Sequence, residues 1–171
     1  MDDAVHSQQL RRAIEEEFPM ENAIPEGPFS RVLVATRGRP WSERALALAV
    51  RMAKAYQIEV VIVAVLTPTY VPEKRAAWGI AAATGVGEDV RRTAQQVLEE
   101  AAAFAKANDV KYLCEMREGR PAEEIIKAAE QHRCDLILIG SRGLSGVRRV
   151  TLGETGNEVV LKAPVPVVIV K

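Results

Sequence analysis

The chain has no apolar run approaching the ~20 residues that a membrane-spanning helix needs. Its longest, Val60 to Leu66, is the length of one buried strand, so no membrane partner is expected. The opening MDDAVHSQQLRR has neither the basic start nor the apolar stretch of a signal peptide, which makes the cytoplasm the expected compartment. Cysteine is scarce. Cys114 and Cys134 stand at no metal-ligand or redox spacing and read as small apolar core residues. The formal net charge is zero, which argues against a broad basic nucleic-acid surface. No Walker lysine motif, nucleophile–base pair or paired carboxylates stand out. The two histidines, His6 and His132, lack a Ser, Cys or Asp at catalytic spacing and read as surface residues. Trp41 and Trp78 read as packing residues, Trp78 also as a cover for a cleft or a dimer seam.

What is present fits one ordinary domain of 171 residues plus an appendage. Residues 1–28 hold seven acids against two arginines, a balance of −5, so the remainder carries +5. That bias suits a small anionic ligand better than a duplex. Within the appendage, Leu10, Ile14 and Phe18 recur every four residues, as on an amphipathic helix over 4–18. Pro19, Pro25, Gly27 and Pro28 then form a linker. Such a helix either packs on the domain surface or serves as an arm for a protein partner or a dimer. The domain proper is expected over 29–171.

From Arg31 strands and helices alternate. Val32 to Ala35 reads as the first strand, and Ser42 as the cap of a helix through Tyr56 with Leu46, Val50, Ala53 and Tyr56 on its buried face. Ile58 to Leu66, β-branched and apolar throughout, reads as a strand covered on both sides. Thr67 to Gly87 is a long excursion with three of its positions glycine and two proline, functional or mobile by its length. Glu88 to Ala107 is the clearest helix, with Val90, Ala94, Val97, Ala101 and Phe104 as its apolar stripe. Val110 to Met116 follows as a strand, then a helix opened by Pro121, a strand Leu136 to Ile139, a helix from about Glu154 to Lys162, and a strand Val165 to Val170. Alternation of this kind predicts an α/β, doubly wound, five-stranded parallel sheet with helices on both faces. Pro164 and Pro166 carry no N–H, which puts the last strand at an edge. An exposed valine-rich edge calls for a cover, and a second copy supplies one, so a homodimer is expected through Val165 to Val170.

The stretch GSRGLSGVRRVTLGETGNE, Gly140 to Glu158, follows a buried strand and leads into a helix. Glycines there let backbone N–H groups approach an anion, and the helix N-terminus adds partial positive charge. In open parallel sheets ligands sit beyond the carboxyl ends of the strands. Ala35, Thr36 and Arg37, the end of the second strand at Val65, and Ile139, Gly140, Arg142, Gly143, Gly153, Glu154 and Thr155 are therefore the expected site. Arg142, Arg148 and Arg149 are either solvated or phosphate contacts, and Ser141 and Ser145 are candidate donors.

At these residues the chain resembles the universal stress protein family, over roughly Arg31 to Lys171. Its nucleotide-binding members show G-x-x-G, nine residues, then G followed by Ser or Thr. Gly140, Gly143 and Gly153 keep that spacing, and Ala163 to Val170 resembles the family's dimerising last strand. The resemblance implies strand order 3-2-1-4-5 and a regulator that binds an adenine nucleotide (ATP, ADP or AMP), with magnesium when the ligand is ATP. With no catalytic constellation among the residues, no enzyme is expected beyond slow ATP hydrolysis. Two residues depart from the pattern. Glu154 replaces the Ser or Thr donor, and losing a hydrogen bond to a charged group costs about 1.5–3 kcal/mol. Arg37 stands where the family usually has Asp, and an Arg accepts no hydrogen bond. Two outcomes follow: weakened nucleotide binding with Thr155 standing in for the hydroxyl, or a nucleotide-free dimeric interaction module closed by an Arg37–Glu154 ion pair.

Overall fold

The computed structural model of the chain describes residues 29–67, 87–141 and 153–171. The expectations for the arm over 1–28, His6, Trp78, Arg142, Gly143, Ser145, Arg148 and Arg149 lie outside the described residues. The elements run β1 (Arg31–Ala35), α1 (Pro40–Tyr56), β2 (Glu59–Leu66), α2 (Glu88–Ala107), β3 (Tyr112–Glu118), α3 (Pro121–Gln131), β4 (Leu136–Gly140), α4 (Gly153–Lys162) and β5 (Val167–Val170). All strand pairs are parallel, in the order β3-β2-β1-β4-β5. Both the fold and the order match the expectation.

Alternating side chains divide the core into two layers. Val32, Val34, Val60 and Ile62 face α1 and α2, while Leu33, Val61, Val63 and Ile137 face α3 and α4. A central strand buried on both sides must be apolar at every position, and β2 reads EVVIVAVL for that reason. Leu33, Ile62, Ile137 and Leu138 are fully buried. Truncating any one to alanine costs about 2–5 kcal/mol. Cys134 is buried in the second layer, where burial pushes its thiol up to about 12. Cys114 packs against the first, and burial raises its thiol as well. Both cysteines thus behave as the small apolar residues expected of them.

Several boundaries and faces differ from expectation. First, α1 starts at Pro40 with Arg39 as its N-cap, so Ser42 lies inside the first turn. Proline at the start loses no hydrogen bond, since that N–H has no partner within the helix. Second, Tyr56 is 57% exposed, because the helix ends beside it on Gln57 in the left-handed conformation (φ 55°). Third, the buried face of α2 is Leu98, Ala101 and Ala105, while Val90 and Phe104 are exposed. Small side chains let the helix axis approach the sheet, and an inward Phe104 would hold it away. Fourth, β3 begins at Tyr112, because Val110 is held by its N–H donating to the Ala105 carbonyl (3.2 Å) after Asp109 turns the chain at φ 56°. β5 lies at the sheet edge as expected and starts at Val167, past both prolines. Among the described residues no helix is long and apolar enough to cross a membrane.

Candidate functional site

The carboxyl ends of β1, β2 and β4 open into one cleft, because all three strands run in the same direction. Thr36 continues the ladder one residue past β1, its N–H donating to the Val63 carbonyl at 2.9 Å. The chain then turns over Arg37, Gly38 and Arg39 into α1. Ser42 organises that turn. Its Oγ accepts from the N–H groups of Arg37 (3.3 Å) and Arg39 (3.1 Å) and donates to the Arg39 carbonyl (2.9 Å). Gly38 adopts φ +61°, a conformation that costs glycine least. A side chain there would meet Val97 Cγ2 at 2.6 Å.

On the opposite wall, β4 ends at Gly140 directly against the start of α1. A Cβ at Gly140 would lie 2.0 Å from the Trp41 carbonyl oxygen. This glycine thus serves helix–strand packing, whatever else it does. Ser141 follows, its N–H donating to the Val170 carbonyl at 2.7 Å. Its Oγ is buried and, among the described residues, has no hydrogen-bond partner. Gly153 opens α4 at φ +74°, the left-handed region that favours glycine. The first turn of α4 therefore begins at the mouth of the cleft with its N–H groups free of helical partners.

Between these walls lies about 670 Å³ of empty space, partly open to solvent. Ala35, Thr36, Arg37 and Val65 line it from the β1–β2 side. Ile139, Gly140, Gly153, Glu154 and Thr155 line it from the β4–α4 side. Nine residues of the expected site are thus brought to one cavity, while Ser141, a candidate donor, is not among those that line it. Trp41, Ser42, Val63, Pro121, Ile125 and Gly156 line it as well and were not singled out as site residues. In sequence Ser42 carries one signal, a hydroxyl beside a helix start, and that signal points to a cap alone. Pro121 and Ile125 come from α3, which no local pattern ties to this cleft. Among the described residues no ion pair within 4.0 Å joins Arg37 to Glu154, so the charge pair that would close the site is not formed.

A second polar cluster lies along β3 and α3. Arg117, 12% exposed at its side chain, donates to Glu115 (2.7 Å), Glu124 (2.9 Å) and Gln131 (2.7 Å). Hydrogen bonds from Lys127 and then Arg117 hold the Glu124 carboxyl below its ordinary range. His132, which has no partner evident in sequence, meets Glu115 at 2.7 Å because α3 folds back beside β3. At the end of the sheet away from the cleft, Asp135 accepts from the Ser30 N–H (2.6 Å), the Ser30 hydroxyl (2.7 Å) and the Arg31 N–H (2.9 Å). Burial acts to raise its pKa, and these bonds outweigh burial and lower it. Among the described residues, no group of three His, Cys, Asp or Glu could hold a metal ion.

Among curated proteins the chain is 30% identical over 148 residues to universal stress protein MJ0531 of Methanocaldococcus jannaschii, covering 85% of this chain and 84% of the relative. It is 32% identical over 154 residues to universal stress protein YxiE of Bacillus subtilis, covering 84% and 99%. Among solved structures, a universal stress protein from Archaeoglobus fulgidus in complex with dAMP superposes with a TM-score of 0.64 at 19% identity, covering 84% of this chain and 99% of that one. Two more share the fold at TM-scores of 0.60. One is a universal stress protein in complex with cAMP (23% identity; 85% and 98% covered), the other a family member from Arabidopsis thaliana with AMP bound (18%; 83% and 91%). The model of the universal stress protein family matches residues 28–171, the whole of the α/β domain, and on that match and these relatives the chain belongs to the universal stress protein family.

Proposed function

We propose that the chain is a regulatory protein that binds an adenine nucleotide in the cleft at the ends of β1, β2 and β4. The observation that carries this reading is the convergence at the mouth of that cleft. There the first turn of α4, entered through left-handed Gly153, lines the same cavity as Ile139 and Gly140 at the end of β4. A helix N-terminus with free N–H groups favours phosphate oxygens. Val63, Val65, Ile125 and Ile139 supply an apolar wall against which a base would lie. The dAMP, cAMP and AMP complexes of proteins with this fold support the choice of an adenine nucleotide.

Affinity is expected below that of full-motif members. Glu154 brings a carboxylate to a wall where a hydroxyl donor is the norm, and Thr155 beside it is the substitute donor. With ATP, Glu154 is the cleft's carboxylate for a magnesium ion, which prefers carboxylate and phosphate oxygens together. Arg142 and Gly143 complete the proposed contacts. The protein acts as a switch, with at most slow ATP hydrolysis, and works in the cytoplasm. It pairs with a second copy through β5, whose Val168 is 37% exposed. Residues 1–28 are the proposed contact for a protein partner.

Isothermal titration with ATP, ADP and AMP, each with and without magnesium, tests the site. Saturable heat from at least one is expected, and no heat at millimolar ligand sinks the reading. Val168→Lys should convert a dimer to a monomer by light scattering. A dimer that survives it rules out the β5 edge.

A further inference from the structure

The cleft does not stop at Arg37. Thr36, Arg37 and Val65 also line an adjoining cavity between the end of β2 and the start of α2. Thr67 and Thr93 bring hydroxyls to its walls, and Arg39 lines this second chamber but not the first. Among the described residues, neither Arg37 nor Arg39 has a carboxylate within 4.0 Å. The chamber's carboxylate, Asp89, has a side chain 94% exposed and lies 3.7 Å from Arg92. Solvent screens it and a cation already accompanies it. The chamber is therefore net cationic. Its two arginines also rise from a fixed turn, held by the hydrogen bonds of their own N–H groups to Ser42 Oγ and by Gly38 seated against Val97.

A guanidinium only donates, so a neutral sugar hydroxyl beside it gains little, while a phosphate offers two acceptors to its fork. In dinucleotide-binding sheets the same chemistry recurs: a carboxylate takes a free ribose hydroxyl, and an Arg takes a phosphorylated one. We propose that the ligand of this cleft is an adenosine 5′-phosphate carrying a second phosphate on its ribose, at the 2′ or 3′ position, seated in the second chamber by Arg37 and Arg39. The inference rests on the adenine-nucleotide reading above and names its ligand class.

Calorimetric titration of the full chain with AMP, adenosine 3′,5′-bisphosphate and adenosine 2′,5′-bisphosphate tests it. One bisphosphate should bind at least ~10-fold more tightly than AMP at low salt, and which one does so gives the position of the phosphate. That advantage should shrink as salt screens the partly exposed pair. Arg37→Ala and Arg39→Ala should each bring the bisphosphate-to-AMP ratio toward one, with thermal melts confirming that these exposed substitutions leave the domain folded. AMP binding as tightly as both bisphosphates overturns the inference and leaves the nucleotide reading intact. A tenfold preference that survives both substitutions overturns the assignment to these arginines. No heat from any of the three ends both.

Discussion

Gly140→Ala isolates a role for the glycine loop that has nothing to do with phosphate. The added Cβ would lie 2.0 Å from the Trp41 carbonyl oxygen, 2.4 Å from the Trp41 carbonyl carbon and 2.8 Å from the Ser42 nitrogen. All three are backbone atoms in the first turn of α1, so no side-chain rotation relieves the clash. Ordinary contact starts near 3.4 Å, and the helix must retreat from β4 by more than about 1 Å. Overpacking a well-ordered interior costs typically ~1–3 kcal/mol, and a clash with backbone belongs at or above the top of that range. At about 2–4 °C per kcal/mol for a chain of this size, the melting temperature should fall by ~6–12 °C. Gly87→Ala is the control. Nothing lies within 4 Å of a Cβ there, so the change should cost under ~1 kcal/mol, the loss of a tolerated helix N-cap. Circular-dichroism melts of the two variants, read beside urea midpoints, decide the matter. If Gly140→Ala melts within the margin of Gly87→Ala, the steric account of this glycine is wrong. Because Trp41, Ser42 and Gly140 also line the cleft, the same displacement should weaken any ligand bound there.

Three further outcomes follow from the same geometry. Ser42→Ala removes three accepted hydrogen bonds, one of them the long contact from the Thr36 hydroxyl (3.4 Å), and one donated one from the β1–α1 turn, and should cost about 1–2 kcal/mol by urea denaturation. A cost under a few tenths would show that the turn is held by other contacts. Arg117→Ala leaves Glu115 and Glu124 without the cation between them and should cost ~2–3 kcal/mol, with Arg117→Lys recovering only part because a single ammonium cannot serve three acceptors in a fork. Asp135 has its pKa lowered on folding, so the unfolded chain binds its proton more readily. Its stabilisation is therefore complete above the unfolded value near 3.9 and is lost as pH falls through the lower folded value. Urea midpoints between about pH 2 and 5 should rise more gently with pH in Asp135→Asn than in the parent, and parallel slopes would remove Asp135 from the acid limb.

The sequence by itself determined the architecture. β-Branched runs such as β2 are too apolar for any but a twice-covered strand, and their alternation with amphipathic helices leaves a parallel doubly wound sheet. The carboxyl ends of its strands then locate the site without coordinates, which is how Ala35, Val65, Ile139 and Gly153 were legible before they met. Local pattern failed where two faces of one helix were both plausible. Along α2, Val90 and Phe104 step at helical spacing as well as Leu98 and Ala105 do, and only the distance at which the helix must pack against the sheet selects the smaller side chains. It failed again where a residue's meaning depends on a segment far away in the chain. Gly140 reads as an anion cradle until the Trp41 carbonyl arrives beside it from α1, 99 residues earlier. His132 reads as solitary until β3 brings Glu115. An Arg37–Glu154 ion pair across one cleft is one of two readings the sequence allows, yet the fold puts both residues on its walls without joining them. Composition and periodicity fix which surfaces must be buried, since burial acts along the whole chain. Which polar groups then meet is set by ångström-scale distances between elements, and those exist only after the chain has folded.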